Sequence, residues 1–334
     1  MEKTLKKQID KSLAFLEKNK DHLIIDADTH ITDIKNMDFE VKKKLMSTDD
    51  YYHGKPINAE DLLREMKMAE VDMSLIWQNP AATTYPGDHA GNFTSLLKAN
   101  RYIFESWIKY SDKFIPAGWT DPKALGMNKA LVLVDICVNN FGFPIVKMNP
   151  AQNKYPIDCE MVFEVLDHII SLGAIPAFHF GADTPFTPAS GLEKVSKRLN
   201  PYPVIAVHMG GGGASYKEAE KQYLETRMMG LRNPNIKFIL SAKRDTHIES
   251  DLISYQMAGE PYSRNICCAS DAPYGRQTWN FGGYRWMFRG LKDGENHTDK
   301  RIRKNPGLFN DEVIQNFMGR NFAEIVINGF KSIV

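Results

Sequence analysis

The feature that most narrows the fold of this chain is a rhythm. Short runs of β-branched and aromatic residues are each followed by a longer stretch with helical spacing. The runs fall at 23–28 (LIIDAD), 72–78 (DMSLIWQ), 114–118 (FIPAG), 143–148 (FPIVKM), 174–179 (AIPAFH), 203–208 (PVIAVH), 236–241 (IKFILS) and 265–270 (NICCAS). They are apolar on both faces, as strands of a parallel sheet are when helices cover both sides. Helices are predicted near 58–70, 91–111, 122–139, 158–172, 190–199, 216–230 and 248–259, with 275–291 and 311–331 as the last outer ones. Eight such units predict an α/β architecture, a (β/α)8 TIM barrel. The rival, a doubly wound open sheet, lacks a GxGxxG turn after any strand. The stretches 31–57 and 180–190 read as loops. Residues 1–22, with Leu5, Ile9, Leu13 and Leu16 at helical spacing, are expected as an added N-terminal helix, and 23–334 as one metal-dependent barrel domain.

Charge removes several function classes. Lys and Arg number 42 against 41 Asp and Glu, a net charge of +1, so no global field favours nucleic acid or an anionic membrane. The basic runs Lys42–Lys44 and Lys300–Lys304 are short and read as solvated faces. No apolar run approaches the ~20 residues that span a bilayer. The opening residues are rich in Lys and Glu, unlike a signal peptide. Cys137, Cys159, Cys267 and Cys268 form neither a disulfide framework nor a CxxC knuckle. The expected location is cytoplasmic, with no nucleic-acid or membrane partner.

In a barrel of this kind the chemistry sits at the C-terminal ends of the strands. Strand one ends in Asp26-Ala-Asp28-Thr-His30, strand five in His179, strand six in His208 and strand eight in Asp271. Gathering that many polar groups in one mouth costs stability unless a cation or a substrate pairs them. Imidazole nitrogen with carboxylate oxygen is a ligand set for one divalent ion: Zn is expected, with Mn or Fe as alternatives. Asp28 and His30, spaced i and i+2, face the same side of a strand and can grip one ion, with His179 and Asp271 completing the cage. His208 is left for proton transfer, which its ordinary pKa suits.

These motifs, D-x-H at strand one, FH at strand five, VHMGGG at strand six and SDAPYG at strand eight, resemble the amidohydrolase superfamily. More narrowly, they resemble its amidohydrolase-related branch, which includes aminocarboxymuconate semialdehyde decarboxylase and the hydroxybenzoate decarboxylases. The similarity runs from Ile24 to Val326 and includes FPIVKMNP, LGAIPAFHFG and MGRNFAEIV. It implies metal binding by Asp28, His30, His179 and Asp271, with His208 and Asp271 handling protons. Two positions depart from the pattern. The relatives most often carry His or Glu where Asp28 stands, and the hydroxybenzoate decarboxylases often carry a Glu shortly after the strand-six His, where HMGGGGAS has none.

Other residues are weighed for substrate contact. Lys147 near the end of strand four is expected inside the barrel, contacting substrate; a carboxylated, metal-bridging lysine is the alternative. Arg244 is a candidate carboxylate clamp, because guanidinium meets carboxylate through two parallel hydrogen bonds. Trp119 and Trp77 are candidates to line a pocket for a planar substrate, and Tyr274 and Arg276 lie close to Asp271 in sequence. Gly210–Gly213 lacks the context of a phosphate loop and reads as a turn that lets the backbone approach a ligand. His53, His89 and His247 carry no spacing argument.

Three readings of function follow. The first is a metal-dependent hydrolase, in which activated water attacks an ester, lactone or amide carbonyl while His208 and Asp271 move protons. The alternative is a metal-dependent non-oxidative decarboxylase of a small unsaturated or aromatic acid. The third is a barrel that binds a ligand without catalysis. A small carboxylate-bearing substrate is expected, as is a homodimer, with helix 4–20 either at its interface or capping the barrel's base.

Overall fold

The computed structural model describes residues 2–47, 55–181, 184–211 and 219–334. Its strands are all parallel and follow chain order. β1 (Ile25–Ile31), β2 (Met73–Gln78) and β3 (Phe114–Pro116) form one ladder. β4 (Gly118–Trp119), β5 (Ile145–Met148), β6 (Ile175–His179), β7 (Val204–Val207), β8 (Ile236–Leu240) and β9 (Ile266–Cys268) form the other. β3 and β4 are halves of one strand interrupted at Ala117, whose N–H still donates to the Ile76 carbonyl at 3.2 Å. Among the described residues that makes eight strands, each followed by helix, and the fold is the (β/α)8 barrel that the rhythm predicts.

The seam between β9 and β1 positions the site. Thr29 bridges Ala272 in parallel, His30 N–H donates to the Ala272 carbonyl at 2.7 Å, and Asp271 N–H donates to the Asp28 carbonyl at 2.9 Å. Below these bonds the fully buried Asp26 carboxylate substitutes for a ladder. It accepts from the Ser270 N–H at 2.9 Å, from the Ser270 hydroxyl and from the Gln277 amide at 2.8 Å. Burial pushes the Asp26 carboxyl up to about 7, and these donors act against that rise.

The helix Lys3–Asn19 buries Leu5, Ile9, Ser12 and Leu16. Ile9 and Leu5 press on Gly142, just before β5, and Ser12 accepts from the Trp107 indole at 3.1 Å. Its apolar face is thus buried within the chain, at the N-terminal end of the strands. Cys267 and Cys268 are buried in β9, as apolar filling would be.

Departures from the sequence reading have local causes. β1 starts at Ile25 and continues to Ile31, so His30 as well as Asp28 lies within the strand. The stretch 31–57 contains a helix, Phe39–Met46, capped by Asp38; 48–54, with His53, lies outside the described residues. The predicted helix 122–139 breaks at Gly126 (φ +75°) into Pro122–Leu125 and Met127–Asp135, followed by a π-helical turn, Ile136–Asn140. The predicted helix 311–331 is likewise Asp311–Gln315, a π-helical turn Asn316–Arg320, and Asn321–Ile333. In that turn, a Cβ on Gly319 would stand 1.8 Å from the Leu23 carbonyl oxygen, so only glycine lets the last helix approach β1 this closely. Among the described residues no helix is long and apolar enough to cross a membrane.

Candidate metal centre

Asp28, His30 and Asp271 converge at the seam, each buried, with one ligand atom apiece lying within 4.8 Å of one another. His30 Nε2 is 3.6 Å from Asp28 Oδ1 and 3.4 Å from Asp271 Oδ1. The other ring nitrogen, Nδ1, lies 2.7 Å from the Gln78 carbonyl, which can only accept, so Nδ1 carries the hydrogen. In the neutral ring Nε2 is then a bare lone pair facing two carboxylate oxygens. A ring nitrogen set among carboxylate oxygens in this way, with the other nitrogen held by a backbone carbonyl, is the usual arrangement of a metal-ligating histidine. The donor set therefore fits a divalent ion.

Asp28 is held from all sides. The Trp77 indole N–H donates to Oδ1 at 2.8 Å, and the Ser241 hydroxyl to Oδ2 at 2.8 Å. Lys147 Nζ stands 3.8 Å from Oδ1. Burial would raise this carboxyl, but Lys147, then His208, His30 and the Ser241 bond, outweigh it and hold the group below the ordinary carboxylate range. Lys147 is buried between two indoles, 4.4 Å above Trp77 and 4.8 Å above Trp119. Its own pKa is lowered by burial, against the pull of Asp28 and Asp271.

His208 joins the cluster through Ser241. Since that hydroxyl donates to Asp28, it accepts from His208 Nδ1 at 2.8 Å, which leaves His208 Nε2 free of hydrogen in the neutral ring. Burial drives the His208 pKa down to about 4, opposed by Asp271. The His179 ring packs edge-on against His208, centroids 4.7 Å apart; it is not one of the three residues whose ligand atoms converge. Tyr274 covers His30 from the other side, rings 5.6 Å apart, and its hydroxyl donates to Asn79 at 2.9 Å. His208 (φ +77°) and Asp271 (φ +59°) both adopt left-handed backbone, at about 1–2 kcal/mol each for a residue with a Cβ. Such conformations cluster where a site dictates side-chain direction.

The remaining candidates are dispersed. Trp119 lies in the cluster, its ring 6.1 Å from that of His30. Arg244 is exposed at the N-cap of the helix Asp245–Ala258; its neighbour Lys243 is the buried one, ion-paired with Asp251 and donating to the Met209 carbonyl at 3.1 Å. Gly210 and Gly211 let the turn after β7 pack closely: a Cβ on Gly211 would meet the Ala242 carbonyl at 2.7 Å. Gly212 and Gly213 lie outside the described residues. His247 is buried against Tyr223, ring centroids 4.3 Å apart, and His89 lies beside Gly126. Sequence reasoning missed Ser241, although it ends the run IKFILS at the same level as the other strand-end groups.

No family model matches the sequence, and no curated protein matches it. Solved structures do. The 5-carboxyvanillate decarboxylase LigW from Sphingomonas paucimobilis is 15% identical, with 91% of this chain and 98% of that one covered at a TM-score of 0.62. The 2,6-dihydroxybenzoate decarboxylase from Rhizobium is 14% identical, covering 86% and 97% at 0.58. A dihydroxybenzoic acid decarboxylase from Polaromonas sp. JS666, with bound manganese and 2-nitroresorcinol, is 13% identical, covering 91% and 96% at 0.59. At such identities the likeness is one of fold, over nearly the whole of each chain.

Proposed function

We propose that this chain is a metal-dependent, non-oxidative carboxy-lyase of the amidohydrolase superfamily, acting on a small aromatic or unsaturated acid. The observation that carries it is the His30 Nε2 aimed at two carboxylates, with a buried lysine beside them. On sequence, hydrolysis ranked first. Three of the similar structures are decarboxylases, one of them with manganese, and they favour the alternative.

The ion, Mn²⁺ or Zn²⁺, would be held by Asp28, His30 and Asp271, with His179 closing the set from β6, and when bound supplies Lewis acidity toward the substrate's oxygens. The chain's own residues do the rest. Lys147 offers a cation to the substrate carboxylate, and the Trp77 and Trp119 indoles fix where that cation sits. When the carbon–carbon bond breaks, its electron pair stays on the substrate carbon and takes up a proton, while carbon dioxide leaves. His208 and Asp271 are the groups to carry that proton. The Ser241 bond to His208 Nδ1 leaves Nε2 as the exchanging nitrogen.

The test is a panel of hydroxybenzoates, unsaturated diacids and lactones against protein loaded with Mn²⁺ or Zn²⁺. Carbon dioxide release from an acid is expected. Proton release from a lactone without carbon dioxide would restore the hydrolase.

A further inference from the structure

Three residues in a row after β7 take left-handed backbone: His208 (φ +77°), Met209 (φ +45°) and Gly210 (φ +78°). Residues with a Cβ visit that region singly rather than in runs, so this turn needs ties from outside itself. Two ties are backbone bonds to neighbouring strands. The His208 N–H donates to the Ile239 carbonyl at 2.9 Å, and the Gly210 N–H to the Phe180 carbonyl at 2.9 Å. The third comes from a side chain: Lys243 Nζ donates to the Met209 carbonyl at 3.1 Å.

The Lys243 side chain is fully buried, where an ammonium is costly unless paired. It pairs with Asp251, on the helix Asp245–Ala258. Asp251 is also paired with Arg227, on the helix Ala219–Gly230, so charge balance gives no reason for a second cation. What Lys243 adds is the bond to Met209. It stands two residues after Ser241, whose hydroxyl accepts from His208 Nδ1 at 2.8 Å. The turn 241–243, itself left-handed at Ala242 (φ +47°), thus grips His208 twice: the ring through Ser241, the backbone through Lys243. The two turns lie in contact, since a Cβ on Gly211 would stand 2.7 Å from the Ala242 carbonyl and 3.0 Å from Lys243 Cβ.

We propose that Lys243 is a positioning residue for His208, holding the turn after β7 so that the ring keeps its bond to Ser241 and its place beside the metal centre. For catalysis this rests on the reading of His208 as the proton carrier. A proton passes only across hydrogen-bond distance, so a small swing of that ring slows the proton step and leaves substrate binding as it was. Without Lys243 the Met209 carbonyl loses the donor that the side chain supplies, and the strained run relaxes.

Ring-labelled histidine NMR of the full chain tests this, with His208→Asn identifying the His208 signal by its disappearance. Lys243→Met is expected to move or split that signal. Arg227→Met removes a buried cation from the same carboxylate but spares the Met209 bond; it should lower the urea midpoint and leave the His208 signal in place. Should Lys243→Met fail to fold, Gly211→Ala decides, because its methyl pushes the same turn off Ala242 with no change of charge, and it too should move the signal. In the carbon dioxide assay Lys243→Met should lower kcat about 100-fold with KM and bound metal unchanged. A His208 signal that stays put in Lys243→Met, or in Gly211→Ala where that variant decides, overturns the proposal. So does one that Arg227→Met moves as far as Lys243→Met does. A chain that decarboxylates nothing sinks the carboxy-lyase instead, and the NMR comparison still decides the positioning.

Discussion

At the scale of single residues, the site depends on where hydrogens sit. Gln78 supplies only a carbonyl to His30, and Ser241 can accept from His208 only because it donates to Asp28. Two consequences are measurable. Ser241→Ala removes a donor from a buried carboxylate and is expected to destabilise the metal-free protein by about 1–3 kcal/mol in urea unfolding. The same change should weaken metal affinity by about 10–100-fold by calorimetric titration. His208→Asn should abolish turnover with metal content unchanged; loss of the metal instead would make His208 a ligand. The convergence of Asp28, His30 and Asp271 was legible because each directly follows or ends an apolar run. Ser241 was not, nor were the bonds of Trp77 to Asp28 and of Asp26 across the seam, since these depend on which neighbouring strand a side chain reaches across to, and that follows from sheet register rather than from local pattern. Arg244 and Lys243 illustrate the limit: adjacent in sequence, they differ only in which one the turn points inward.

At the scale of elements, every strand was legible, most ends to within two residues, because a buried parallel strand is a continuous apolar run; β1 runs three residues past its predicted end. The π-helical turns were not, since a single extra residue in a helix leaves the apolar periodicity nearly intact. Gly319 marks one of them. Gly319→Ala forces a methyl toward the Leu23 carbonyl and is expected to cost about 1–3 kcal/mol, read as a lowered urea midpoint. Asp121, buried at the end of β4 and capping the helix Pro122–Leu125, gives a pH signature. Burial raises its carboxyl from the ordinary 3.8 to about 6. Between those values the folded chain binds more protons than the unfolded one, so this group makes stability fall as pH rises across that window. Because Asp26 adds a fall of the same sign and His208 a rise over this range, the readout is the difference: unfolding free energies of wild type minus Asp121→Asn, measured from pH 4 to pH 6.5, should decline with pH, and a difference independent of pH contradicts it.

At the scale of the whole molecule, one barrel explains both the rhythm of the sequence and the meeting of its distant strand ends. The seam between β9 and β1 is where this matters most, because the backbone bonds that close the sheet also set Asp28 beside Asp271. The reaction was less legible than the fold, because one Lewis acid and one proton carrier serve hydrolysis and decarboxylation alike. All of it depends on a cation among Asp28, His30 and Asp271. Calorimetric titration of chelator-stripped protein with Mn²⁺ and Zn²⁺ measures that directly. One ion per chain is predicted, with binding lost in Asp28→Asn combined with His30→Asn. A stripped wild-type chain that takes up neither ion, or a double variant that binds as tightly as the wild type, would contradict it.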